Sequence, residues 1–103
     1  MAINHQPVTG SGRRTADAAV LATGGYLHGI MLENDGTNAS SVIIYDNASA
    51  ASGTVLAKVM LPASSAVLTQ YVVFNNPVSV LNGIYVDVTG TGAAYIAYYS
   101  IGN

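Results

Sequence analysis

Cysteine and tryptophan are absent from this chain of 103 residues, only three residues are basic and five are acidic, and proline occurs three times. Without cysteine there is no disulfide framework, thiolate metal site or cysteine nucleophile. Three cations cannot form the basic stripe that neutralises phosphates, so nucleic acid is excluded as a partner. Charged residues make up 8% of the chain, about a third of the usual share. No apolar run approaches ~18 residues without Gly, Pro or a strongly polar interruption, which excludes a membrane-spanning helix, and no membrane partner is expected. The opening Met1-Ala2-Ile3-Asn4-His5-Gln6-Pro7 has neither the charged n-region nor the apolar h-region of a secretory signal. The expectation is a chain made in, and released from, a cytoplasm.

Half of the residues are hydrophobic, 11 are Gly and seven are Tyr, and the mean hydropathy is +0.40. That balance is the opposite of the disordered signature, so the chain folds, and its length suits one domain. The small number of charges implies a surface that is either covered by something or sticky.

Residues 1–15 have no periodicity and carry Gly10-Ser11-Gly12 and Arg13-Arg14, the pattern of a flexible N-terminal arm. From Ala16 to Asn103 the texture changes to short runs rich in Val, Ile, Leu, Tyr and Thr. The runs are Ala16–Ala22, Tyr26–Glu33, Ser41–Tyr45, Thr54–Leu61, Ala66–Phe74, Val78–Leu81, Ile84–Val88 and Ala93–Ser100. Gly24-Gly25, Asn34-Asp35-Gly36, Asn75-Asn76-Pro77, Asn82-Gly83 and Gly90-Thr91-Gly92 separate them as turns, because Gly, Asn and Asp tolerate positive φ and Pro presets its own. Strand-and-turn texture at this spacing predicts an all-β domain, an antiparallel β-sandwich or jelly roll of about eight short strands.

Alternation divides each strand into two faces. Thr54–Leu61 sets Val55, Ala57, Val59 and Leu61 against Leu56, Lys58 and Met60; Ala93–Ser100 sets Ala94, Ile96 and Tyr98 against Ala93, Tyr95, Ala97 and Tyr99. A sheet with one wet face should alternate cleanly between apolar and polar residues, and these strands do not. Both faces of at least one sheet are therefore expected to be covered, with Leu56, Met60, Tyr95 and Tyr99 as the candidate oligomer interface.

Candidates for chemistry are few. His28 is the one histidine after the arm, and no Ser stands in a Gly-x-Ser-x-Gly elbow to join it in a triad. It is read as a hydrogen-bonded strand histidine on the face of Ile30 and Leu32. Glu33, Asn34 and Asp35 gather oxygen atoms but lack the spaced ligands of an EF-hand, and Asp35-Gly36 suits a turn. Gly90-Thr91-Gly92 lacks the lysine and helix start of a phosphate cradle. No cofactor, metal or catalytic residue is expected. The tyrosines suit interface or core packing, with sugar stacking as the alternative use. Arg13 and Arg14 could reach carboxylates on a partner.

The segments Ser41-Val-Ile-Ile-Tyr-Asp-Asn47, Ser52-Gly-Thr-Val-Leu-Ala-Lys-Val-Met-Leu-Pro-Ala63 and Asn82-Gly-Ile-Tyr-Val-Asp-Val-Thr-Gly-Thr-Gly-Ala-Ala-Tyr-Ile-Ala-Tyr-Tyr99 resemble a pattern of small all-β virion proteins of tailed bacteriophages. The resemblance covers about residues 20–101 and leaves out the arm. It implies a non-enzymatic capsid decoration or cement protein, located in the virion. By that resemblance the chain would be a homo-oligomer, with a trimer favoured, bound to the major capsid protein or another virion protein. Arg13 and Arg14 are then the candidate capsid contact. The alternative is a tail, neck or fibre component, including a glycan-binding module for host attachment.

Overall fold

In the computed structural model, which describes residues Pro7–Ile101, eight strands form two antiparallel four-stranded sheets. They are β1 (Thr9–Gly10), β2 (Ala18–Leu21), β3 (Gly25–Glu33), β4 (Ser40–Asp46), β5 (Val55–Leu61), β6 (Thr69–Val80), β7 (Ile84–Thr89) and β8 (Ala94–Ile101). The first sheet runs β1-β8-β3-β6 and the second β2-β7-β4-β5. Within them β1 pairs with β8, β2 with β7, β3 with β6 and β4 with β5. A long hairpin folded at the β4–β5 turn and then rolled gives this nesting, which is the jelly-roll solution of a double-sheet sandwich.

The core lies between the sheets. Leu27, Ile30 and Leu32 of β3 meet Val42 and Ile44 of β4, Ile84 and Val86 of β7, and Tyr95 and Ala97 of β8, all 0% exposed. Each such aliphatic side chain contributes roughly 1.5–3 kcal/mol by leaving water. Alternation built this core: residues two apart share a face, and β-branched residues suit the half-buried pleat.

Two strand boundaries depart from the sequence reading. Thr9–Gly10, expected in a flexible arm, pair with Tyr98 and Tyr99, and Arg14 bridges Tyr95 through reciprocal backbone hydrogen bonds of 2.9 Å. Without this cover β8 would leave a row of backbone groups unpaired at the sheet edge. Ser11 N–H donates to the Ala97 carbonyl at 2.8 Å, and Ala97 N–H donates to Ser11 Oγ at 2.9 Å. Gly10 lies against the Tyr98 ring, where a Cβ would make ordinary contact at 3.4 Å. The arm is thus corrected over Thr9–Arg14; its residues 1–6 lie outside the described ones.

The second departure is Asn75-Asn76-Pro77, which reverses nothing. Leu27 pairs with Val78 and Gly29 with Val73, so Phe74–Pro77 bulge out opposite His28 while β6 continues past them. Proline is tolerated because β6 is an edge strand and Pro77 needs no ladder partner on its outer side.

One buried polar atom is left over. Ser40, 4% exposed, has an Oγ with no hydrogen-bond partner. An unpaired buried hydroxyl is costly, so Ser40→Ala should raise stability by about 1 kcal/mol. A higher urea midpoint at unchanged m-value would register the gain.

Candidate interaction surfaces

His28 occupies a bulge: against β8, Leu27 pairs with Tyr99 and Gly29 with Tyr98, leaving His28 as the extra residue. The extra residue switches the parity of the strand. Leu27, Ile30 and Leu32 all enter the core, and His28 turns to the outer side, which corrects its expected place on the face of Ile30 and Leu32. Its Nε2 is 2.8 Å from Ser100 Oγ, so the hydrogen-bonded reading holds. Ser100 is 1% exposed, and the contact ties β3 to β8. Gly29 is fixed by the same bulge, because a Cβ there would come within 2.6 Å of the Val72 carbonyl oxygen.

The outer side of the first sheet is almost without charge. Met31 faces Ile96 on β8 and Tyr71 on β6, and Gly29 lies between Tyr98 and Val73. Tyr71 and Val73 are 61% and 75% exposed. A depression of about 380 Å³ opens among Val8, His28, Tyr71, Val73, Phe74 and Tyr98. At the far end Arg13 meets Glu33, with Nη2 and Oε2 at 3.2 Å. That pair is exposed and self-neutralising, and contributes little stability.

The outer side of the second sheet is mixed. Ile43 stands between Lys58 and Asp87. Burial raises the pKa of Asp87, and the neighbouring Asp17 raises it further. The folded state therefore holds the Asp87 proton more tightly than the unfolded chain, which relieves this cost as pH falls and imposes it as pH rises past the raised value. Asp87→Asn should stabilise the protein slightly at pH 7, by about 0.5 kcal/mol or less. Thermal melts of both proteins should converge on acidification. Asp46 serves a turn instead: although burial works to raise its pKa, amide donation from Asn82, Leu81 and Gly83 outweighs it and the value is lowered.

The four residues expected at an oligomer interface separate on the structure. Met60 is 65% exposed on β5. Tyr95 is fully buried, which removes it from any interface; its hydroxyl donates to the Ala16 carbonyl at 3.0 Å. Tyr99 packs against the core from the same side of β8. Leu56 also packs on the core, because a register shift between Ile44 and Tyr45 leaves it as the extra residue of β5 and turns Val55 outward instead. The inner face of β8 was therefore assigned to the outside, and Ile96 and Tyr98 are the residues that face out. Of the expected partner-binding arginines, Arg13 is held by Glu33, and Arg14 Nε donates to the Ser11 carbonyl at 3.2 Å.

Sequence reasoning missed the edge of the first sheet. From Val59 to Val86 no residue is Asp, Glu, Lys or Arg, and β6 lies wholly within that stretch. Five of the ten large hydrophobics exposed among the described residues, Val67, Leu68, Tyr71, Val73 and Leu81, fall on β6 or its flanks. The gap between Lys58 and Asp87 was the available signal. Among the described residues no group of three or more His, Cys, Asp or Glu is placed to hold a metal ion. No helix of the described residues is long and apolar enough to cross a membrane. No protein-family model, curated protein or solved structure matches the chain.

Proposed function

We propose that this chain is a non-enzymatic structural subunit of a tailed-phage virion, of the capsid decoration or cement type, which self-associates and binds the assembled head shell. The observation that supports it best is the nearly charge-free outer side of the first sheet, with Tyr71 and Val73 more than half exposed over a core that is complete without them. Contiguous exposed apolar surface of this kind marks contact with another macromolecule. Double-sheet jelly rolls also build viral capsid and lectin domains, a fold-level analogy that agrees with the segment resemblance and carries less weight than the surface.

The mechanism is energetic. A subunit that binds only the assembled shell stabilises it by mass action, since disassembly must also release the subunit. Linked copies engaging neighbouring capsomers gain further through effective concentration. The partners are further copies of the chain and the major capsid protein or another virion protein. Arg13 and Arg14, which follow β1 at the edge of the first sheet, are the residues offered to such a shell.

Mass spectrometry and electron cryomicroscopy of purified particles test the reading. The expected result is the chain in many regular copies on the head, with particles lacking it less resistant to heat. Its absence from particles would overturn the proposal, and a position on the tail or neck would move it to the tail, neck or fibre alternative.

A further inference from the structure

We propose that two copies of this chain pair through β6, antiparallel about a two-fold axis, so that their first sheets join into one continuous eight-stranded sheet. The inference deepens the self-association in the reading above and takes its role, though not its geometry, from that reading.

An edge strand presents a row of unpaired N–H and C=O groups, and proteins ordinarily blunt it with charge, shortness, proline or a bulge. Three of the four edges here are blunted. β1 has two residues and is followed by Arg13 and Arg14. β2 has four residues and a register shift, and β5 carries Lys58 and a register shift of its own. β6 is the longest strand, with 12 residues, and its protection is confined to the Phe74–Pro77 bulge. The Thr69–Val73 run is regularly paired with β3 on one side, holds no charged residue, and has its other side open. Gln70-Tyr71-Val72-Val73-Phe74 is rich in strand-forming residues and contains nothing that repels another strand.

The occupant follows from the residues. A strand with no charge selects no charged partner, whereas a second copy of itself gives matched pairs. With Val72 at the two-fold axis, Tyr71 of each copy lies opposite Val73 of the other on the outer side, an aromatic and β-branched pair formed twice. Val72 then faces Val72 on the inner side, and the pairing ends where the Phe74–Pro77 bulge begins. Side chains directly opposite must share a side, and each of these pairs does. The regular run Thr69–Val73 spans about 17 Å at ~3.4 Å per residue. A ladder of that length buries less than the ~800 Å² per partner of a standard interface, so the pairing depends on protein concentration. It also joins two charge-free surfaces, which makes it insensitive to salt. Two-fold pairing yields even-numbered assemblies in place of the trimer implied by the family resemblance.

Light scattering and amide hydrogen exchange on the wild-type chain, Val73→Lys and Val73→Thr test the pairing. Val73 is 75% exposed, so neither substitution disturbs the core. At about 100 μM, where a dimer with a Kd near 10 μM holds roughly four-fifths of the chains, the wild type should approach twice the chain mass. Alternate amides within Thr69–Val73, which point away from β3, should then exchange at least about tenfold more slowly than at low concentration. Val73→Thr should keep both properties. Val73→Lys should give monomer mass and fast exchange at those amides, with its circular dichroism unchanged. A wild-type monomer at that concentration would overturn the proposal, as would a Val73→Lys protein that still dimerises. A β6 dimer absent from particles would leave the pairing standing and remove the virion reading; a particle-bound chain that stays monomeric would do the reverse.

Discussion

Tyr95→Ala should lower stability by about 3–5 kcal/mol, the range for removing a large buried aromatic side chain. The ring is 0% exposed between the sheets, and its hydroxyl donates to the Ala16 carbonyl at 3.0 Å. That hydrogen bond ties the segment before β2 to the strand that closes the first sheet, while reciprocal Arg14–Tyr95 backbone bonds hold the same strand from outside. A domain of this size holds about 5–15 kcal/mol in all, so the variant should be close to unfolded at 37 °C. Tyr95→Phe keeps the ring and loses the hydroxyl, leaving the Ala16 carbonyl unpaired at a cost of about 1–1.5 kcal/mol. Alkaline pH separates the two effects. Burial raises the Tyr95 pKa, with Asp17 and Tyr85 adding to it and Arg14 working against it. The folded state therefore keeps a proton that the unfolded chain gives up near pH 10, and stability is lost as pH rises through the raised value. Tyr95→Phe should lack that part of the alkaline loss, as read from melting temperatures across pH 8–11.

Asn34 carries the second large effect. It is 6% exposed at the end of β3, and its Nδ2 donates to the Pro62 carbonyl at 2.9 Å and the Val67 carbonyl at 3.2 Å. Its Oδ1 accepts the Gly36 amide at 2.9 Å, while its own N–H donates to the Leu68 carbonyl at 3.0 Å. One amide side chain thus shapes the turn into β4 and clamps the connection between β5 and β6. Asn34→Ala removes three side-chain hydrogen bonds and orphans groups that are hard to hydrate, a loss of about 2–4 kcal/mol. Asn34→Asp is the sharper variant: it is nearly isosteric and still accepts from Gly36, but points oxygen at the Pro62 and Val67 carbonyls. It should be destabilising at pH 7 and partly recover on acidification, when a protonated carboxyl donates again. Urea titrations at pH 7 and pH 4 would show both.

Much of the fold was legible because a period of two and a set of Gly, Asn and Pro signals speak directly of strands. The eight strands expected and the eight found are not the same eight. Thr9–Gly10 was missed because a two-residue strand has no pattern of its own and forms only when β8 needs a neighbour. Phe74–Pro77 looked like a turn because a bulge and a turn use the same residues. Nesting of β1 with β8, β2 with β7 and β3 with β6 is written in no local window, so jelly roll and other sandwiches stayed equivalent in sequence.

The site was less legible for a related reason. Alternation identifies two faces but not which is inner, and a single bulge exchanges them. His28 and Leu56 each sit at such a place, and Tyr95 and Tyr99 were assigned outward because β8 is apolar on both sides. The scarcity of charge did survive the passage to structure, with its location changed: it concentrates on β6 and on the outer side of β3 and β8.

Sedimentation velocity of the wild-type chain over a range of concentrations, at low and at high salt, tests most directly whether that uncharged surface is covered by copies of the chain. The expected result is a boundary heavier than the single chain that grows with concentration and does not recede as salt screens charge. A single boundary at the mass of one chain throughout would contradict it.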